Sequence, residues 1–218
     1  HALTIGEYAR FINQVFGIGC HLEVIPMRGW RRWMHYSDTG LPWVLPSPNL
    51  PTTASVTVYP GQVIWEGTNV SEGRGTALPF EIFGAPFIDT NRIVERIGVD
   101  GIPGAVLRPV IFEPTANKWC GTACRGFHVH VTDLNLFRPY ESALRLLQMI
   151  LAAHKDEFEW QMPPYEYEWE KMPFDLITGS PLIRHQLEAG VPVEEMRRRW
   201  QAETDAFARK SRLFHLYD

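Results

Sequence analysis

The order of periodicities between residues 80 and 154 constrains the fold more than any other feature of the chain. Residues 80–88 read as a strand, 90–97 as a short helix, and 106–112 and 126–132 as strands. Pro139 then stands where a first-turn proline belongs, and Leu144, Leu146, Leu147, Ile150 and Leu151 mark a helix reaching His154. Strands and helices are interspersed without the regular alternation of a parallel βαβ sheet. This predicts an α+β (irregular mixed α/β) fold, a single domain with a mixed sheet flanked by helices. At 218 residues the chain can bury a sizeable core without metals or disulfides.

Outside that stretch, Thr4-Ile5-Gly6-Glu7 is a capping-box pattern, with Leu3 and Tyr8 placed for a hydrophobic staple. It predicts a helix over 5–16 whose apolar positions Ile5, Tyr8, Ile12, Val15 and Phe16 share one face. A strand is expected over 20–25, and Pro46, Pro48 and Pro51 stiffen the loop around them. Ala54, Val56 and Val58 alternate like a strand, yet the stretch to Trp65 also reads as a helix bent at Pro60-Gly61; periodicity alone leaves both open. Further helices are expected over 181–189 and 193–209. Tyr165, Tyr167 and Trp169 alternate with Glu166, Glu168 and Glu170, which predicts an extended segment with its rings on one face. Such rings either cover the core or form a sugar-stacking platform.

Composition narrows the function classes. The net charge is −4 and the 17 arginines and 4 lysines are scattered, apart from Arg197-Arg198-Arg199 on an otherwise mixed helix, so the basic face expected of a nucleic-acid binder is missing. The longest nearly apolar run, 146–153, is interrupted by Gln148 and falls far short of the ~20 residues of a membrane span. Cys20, Cys120 and Cys124 are too few for a disulfide framework and leave the compartment open. The chain opens at His1 without a Met or a signal-like segment, which reads as a trimmed chain or one part of a longer protein.

Chemistry concentrates in Glu66-Gly67-Thr68-Asn69-Val70-Ser71-Glu72-Gly73-Arg74-Gly75-Thr76. Glycines let backbone approach a ligand closely, and Arg74 can present a planar fork to a carboxylate or phosphate. Glu66 and Glu72 could form the carboxylate pair that glycosidases use. Alternatively, Arg74 pairs with one of them and simply holds a tight loop. Neither a Walker loop nor a dinucleotide fingerprint is present, so no nucleotide or other cofactor is assigned. Cys120, Cys124, His128 and His130 invite a zinc reading, but their spacing departs from the usual structural patterns and no metal is assigned; His130 is a candidate pocket residue. Trp30, Trp33 and Trp43 beside Arg28, Arg31 and Arg32 suit either an anionic sugar or a cation–π corner of the fold.

Several strings resemble the second half of the NamZ family, the bacterial exo-β-N-acetylmuramidases. They include Gly29-Trp30-Arg31-Arg32, Pro46-Ser47-Pro48-Asn49, Tyr59-Pro60-Gly61, the whole 66–76 run, Gly84-Ala85-Pro86-Phe87-Ile88-Asp89, His130-Val131-Thr132-Asp133 and Pro164-Tyr165-Glu166-Tyr167-Glu168. The resemblance spans nearly the full chain. It implies a glycoside hydrolase that releases N-acetylmuramic acid from non-reducing ends of peptidoglycan fragments during cell-wall turnover, with a periplasmic or secreted bacterial location favoured. It further implies that this chain is the C-terminal domain, residues 1–218, of a two-part protein. A Rossmann-like N-terminal half carrying a Ser-Pro-Glu-His-Gly motif would then be absent and would be its partner across the cleft, leaving this chain inactive alone.

Muramic acid differs from glucosamine by a lactyl carboxylate, so a selective site needs a fixed cation, for which Arg74 is the choice. Glu66 and Glu72 are the candidate catalytic carboxylates, or orienters of Arg74. Asn49, Asn69, Ser71, Thr76 and His130 are candidate sugar contacts. The competing reading is a non-catalytic cell-wall glycan-binding module.

Overall fold

The computed structural model describes residues 3–98 and 101–218. Its helices and strands are α1 (Ile5–Val15), α2 (Thr53–Gln62), β1 (Ile82–Ala85), α3 (Thr90–Ile97), β2 (Ala105–Phe112), β3 (Cys124–Val131), α4 (Pro139–Ala153), α5 (Pro173–Thr178), α6 (Pro181–Glu188) and α7 (Val193–Ser211). The chain divides into two compact units, one of His1–Pro42 with Arg197–Asp218 and one of Trp43–Met196. No helix among the described residues is long and apolar enough to cross a membrane.

In the first unit the capping box forms as expected: the Thr4 hydroxyl accepts the Glu7 amide and the Glu7 carboxylate accepts the Thr4 amide. The face that α1 buries differs from the one expected. Phe11 packs with Leu3, Phe214, Ile12 and Phe207, whereas Ile5 is 90% and Phe16 71% exposed. Glu7 explains the rotation. Its fully buried carboxylate lies on the inner face and receives Arg32 Nη2 at 2.6 Å and the Leu216 amide at 2.7 Å, tying the helix to two distant segments. Residues 20–25 form no strand; the Asn13 side chain instead bonds both backbone groups of Cys20. Trp30 lies edge-on to Tyr217 with Arg32 near its ring, so of the two readings of this Trp and Arg group these residues follow the structural corner.

The second unit is built on a three-stranded sheet in the order β1-β3-β2, with β3 antiparallel to both neighbours. Strands β1 and β2 therefore run the same way, joined by a crossover that contains α3, and β3 fills the gap between them as in a split βαβ unit. The α+β class holds. Each strand pairing is antiparallel where a mixed sheet was anticipated, because β3 takes the place where a parallel pair would have closed.

Residues 53–62 resolve to helix: Thr52 caps α2, Pro60 interrupts its hydrogen bonding, and the chain tightens into a 3₁₀ turn, Val63–Gly67. α2 lies hard against α4, since a Cβ on Gly61 would fall 2.0 Å from the Pro139 carbonyl oxygen. Trp65 stacks on Phe83 at 4.7 Å, Phe83 faces Phe127, and Leu144, Leu147 and Ile150 of α4 are fully buried. Each such side chain contributes about 1.5–3 kcal/mol by leaving water. This core fixes the 3₁₀ turn from which the polar loop departs.

Candidate functional site

Glu66 sits in the 3₁₀ turn directly after fully buried Trp65, so core packing sets its direction. The loop beyond it is docked as a false edge strand: Ser71 exchanges backbone hydrogen bonds of 2.8 and 2.9 Å with Gly84 of β1. Gly73 and Gly75 take φ of 77° and 76°, and the Gly75 carbonyl accepts both the amide and the hydroxyl of Thr115. Left-handed backbone at these two positions turns the chain so that Arg74 faces back across the loop.

Arg74 then meets both carboxylates. Its Nη2 lies 2.5 Å from Glu66 Oε1 and its Nε 3.0 Å from Glu72 Oε1, while its guanidinium stands 5.3 Å from the Phe80 ring. Lys118, from the β2–β3 connection, closes the group, donating to Glu72 Oε2 at 2.9 Å and to the carbonyls of Trp65 and Val70. The Tyr165 hydroxyl donates to Glu66 Oε2 at 2.5 Å. Two carboxylates and two cations balance to no net charge, and every carboxylate oxygen is engaged. Among the described residues Arg74 Nη1 has no partner, and that side chain is 27% exposed. Exposure separates the acids: Glu66 is 12% accessible and Glu72 3%.

The surroundings tune these groups unequally. Burial pulls the Lys118 pKa down, against the opposing pull of Glu72. Burial also works against the charge on Arg74, but the bond to Glu66 and the fields of Glu66 and Glu72 outweigh it and raise its pKa. Burial and Glu66 together raise the Tyr165 pKa, which keeps the phenol a neutral donor.

The other candidates are placed differently. Ser71 is 2% exposed and its oxygen accepts the Gly73 amide; Thr76 donates to the Gly73 carbonyl and accepts the Leu78 amide. Both serve the loop's own turns. Asn69 donates to the Glu157 carbonyl, and its side-chain oxygen is buried with no partner among the described residues. Asn49 lies in a turn in which its amide bonds the Ser47 hydroxyl. His130 is exposed on β3, its ring centroid 3.8 Å from that of His128 with the two rings tilted by 35°, and Arg108 of β2 bonds a ring nitrogen of each. His128 in turn faces Glu81 at 3.6 Å. Burial and the neighbouring His130 push the His128 pKa down. Buried Cys124 has its thiol pKa raised to about 11, unlike a metal-bound thiolate, and no cluster of three metal-ligating side chains occurs among the described residues.

The segment expected to be extended at 165–170 instead turns back on itself, Tyr165 and Glu168 exchanging backbone hydrogen bonds of 2.9 Å. Tyr165 points inward while Tyr167 and Trp169 are 95% and 73% exposed. Lys118 and Tyr165 are thus the site residues that sequence reasoning missed. Tyr165 lay inside a quoted motif; Lys118 carried no local signal.

Residues 57–217 match the family described as Exo-beta-N-acetylmuramidase NamZ, C-terminal, and residues 1–54 match Exo-beta-N-acetylmuramidase NamZ, N-terminal. The expectation that the chain corresponds to the C-terminal half alone is thereby corrected, since its first 54 residues match the family's N-terminal segment. The peptidoglycan beta-N-acetylmuramidase NamZ of Bacillus subtilis (strain 168) is 37% identical over 217 residues, covering 100% of this chain and 50% of that protein. The chain thus spans about half the length of that curated relative. A crystal structure of a DUF1343 family protein from Bacteroides fragilis NCTC 9343 superimposes with a TM-score of 0.85 at 28% identity, covering 99% of this chain and 56% of that one. A second DUF1343 protein of the same organism, with a TM-score of 0.65 at 24% identity over 100% of this chain and 56% of that one, shares the fold. On the C-terminal match alone, which takes in most of the sequence, the chain belongs to the NamZ family of exo-β-N-acetylmuramidases.

Proposed function

We propose that the chain forms the carbohydrate-binding and part of the catalytic surface of a peptidoglycan β-N-acetylmuramidase, a glycoside hydrolase acting on glycans that contain N-acetylmuramic acid. The observation that carries this reading is Arg74: two carboxylates fix its guanidinium in place, and its Nη1 is left without a protein partner among the described residues. A pre-oriented guanidinium edge suits the lactyl carboxylate that distinguishes muramic acid from glucosamine. Glu66, the more accessible acid, is the candidate to touch the sugar; buried Glu72 orients Arg74. Family membership supports the reaction class, and most glycoside hydrolases work with paired carboxylates.

The test is release of a chromogenic aglycone from a β-N-acetylmuramide by the active protein and its variants. Arg74→Ala should raise KM for the muramide by tenfold or more. Glu66→Gln should lower kcat by about a hundredfold or more. Unchanged kinetics in both variants would remove these residues from the site. Binding without turnover in any form of the protein would favour the glycan-binding module.

A further inference from the structure

Beside the Glu66 and Arg74 cluster lies an open groove of about 620 Å³, within the ~300–1,000 Å³ range of small-ligand sites. Tyr59, Val63, Tyr165, Tyr167, Leu176 and Ile177 supply its rings and aliphatic walls. Two of those tyrosines connect it to the cluster: the Tyr165 hydroxyl bonds Glu66, and Tyr59 packs edge-on against Phe80, the ring beneath Arg74. Tyr167 is 95% exposed, a ring offered to solvent without a packing role. Aromatic faces flanked by polar tips are the surface on which sugar rings stack.

The charge of the groove selects among sugars. The charged side chains that line it are Glu166 and Glu168, both acidic. Glu168 is fixed, its Oε1 accepting the amides of Trp169, Glu170 and Lys171, and Lys171 approaches its other oxygen at 3.7 Å. Exposed Glu166 remains as an acceptor for hydroxyl or amide hydrogens. A ligand carboxylate would meet like charge here, whereas the unpartnered edge of Arg74 offers it a cation.

We infer that this groove is a second sugar subsite that takes an uncharged N-acetylhexosamine ring, stacked on Tyr167 and Tyr59, while excluding the carboxylate-bearing sugar. The inference rests on the reading of Arg74 as the muramic acid anchor. Together the two sites give the glycan a direction: the acidic sugar is held at the cation and its neutral neighbour at the rings.

Two probes, N-acetylmuramic acid and the β-1,4-linked dimer of N-acetylglucosamine, are titrated separately into the chain, with backbone amide NMR shifts as the readout. The dimer should shift residues 165–168, 176 and 177, and Tyr167→Ala should weaken it about tenfold. The exposure of that ring keeps the substitution away from the core. N-acetylmuramic acid should shift residues near Arg74, lose that shift in Arg74→Ala, keep it in Tyr167→Ala, and enter the groove in Glu166→Arg. Dimer binding that ignores Tyr167→Ala, or a dimer that leaves the groove unshifted, overturns the subsite even where muramic acid still depends on Arg74. Wild-type groove shifts with N-acetylmuramic acid equal to those with the dimer overturn the charge selection. A dimer that depends on Tyr167, alongside muramic acid indifferent to Arg74, leaves the subsite standing and removes the muramic acid anchor.

Discussion

Glu72 is 3% exposed and shares its two oxygens between two cations, which makes its partners matter more than its own chemistry. A buried ion pair adds little over a well-packed apolar group, but removing one member strands the other in a poor dielectric. Lys118→Met would leave the second oxygen of Glu72 and the carbonyls of Trp65 and Val70 without their donor. The expected cost is about 3 kcal/mol in urea unfolding. The double variant Lys118→Met, Glu72→Gln should recover part of that loss; simple additivity would show that the two groups are not coupled. Glu7 gives the residue-scale pH dependence. Burial works to raise its pKa, but hydrogen bonds from Leu216, Thr4 and Arg32 prevail and hold it below 4.5. The unfolded chain therefore takes up that proton first as pH falls, so the stabilisation is present above pH 4.5 and is lost as pH drops through the folded value. Thermal melts from pH 6 downward should flatten in Glu7→Gln relative to the wild type, with both less separated at the acid end.

At the scale of elements, the 66–76 loop depends on backbone that only glycine adopts cheaply. Gly75 has φ of 76°, and a Cβ there would fall 2.4 Å from the Ala116 amide nitrogen. Gly75→Ala should cost about 2 kcal/mol in unfolding free energy and disturb Arg74, read as a weaker N-acetylmuramic acid shift. A variant as stable as the wild type would mean that the loop relaxes freely. Which elements could be read from the sequence follows from where their determinants lie. The capping box of α1, the 90–97 helix and the Pro139 start of α4 are local signals, and the structure places those helices where they point. The 20–25 stretch had strand composition but no strand to pair with, and a strand's backbone groups need partners from elsewhere. The alternation at 165–170 was overridden because Tyr165 turns inward to Glu66, a contact 99 residues away in sequence. Helix α5 is six residues long, too short to show a period. The same rule divides the site: Glu66, Glu72 and Arg74 lie within one run, whereas Lys118 joins Glu72 across 46 residues.

Across the whole molecule, each of the two units has its own buried cluster. The first unit rests on a small aromatic group in which Phe11 stands edge-on to Phe214 at 5.2 Å and to Phe207 at 5.7 Å. The second has the larger core around Trp65, Phe83 and Phe127. Sub-global opening follows such boundaries when a cluster supports only its own segment. Phe11→Ala removes the ring shared by both aromatic contacts, a change that costs about 3–5 kcal/mol in a packed core. Deuterium uptake should therefore rise in residues 5–15 and 207–216, while the amides of β3 keep wild-type protection. The groove at Tyr167, which belongs to the second unit, should go on binding the N-acetylglucosamine dimer. A parallel rise in uptake in β3 would show that the chain opens as one cooperative unit, and the small cluster around Phe11 would then be part of what holds the sugar-facing loops in place.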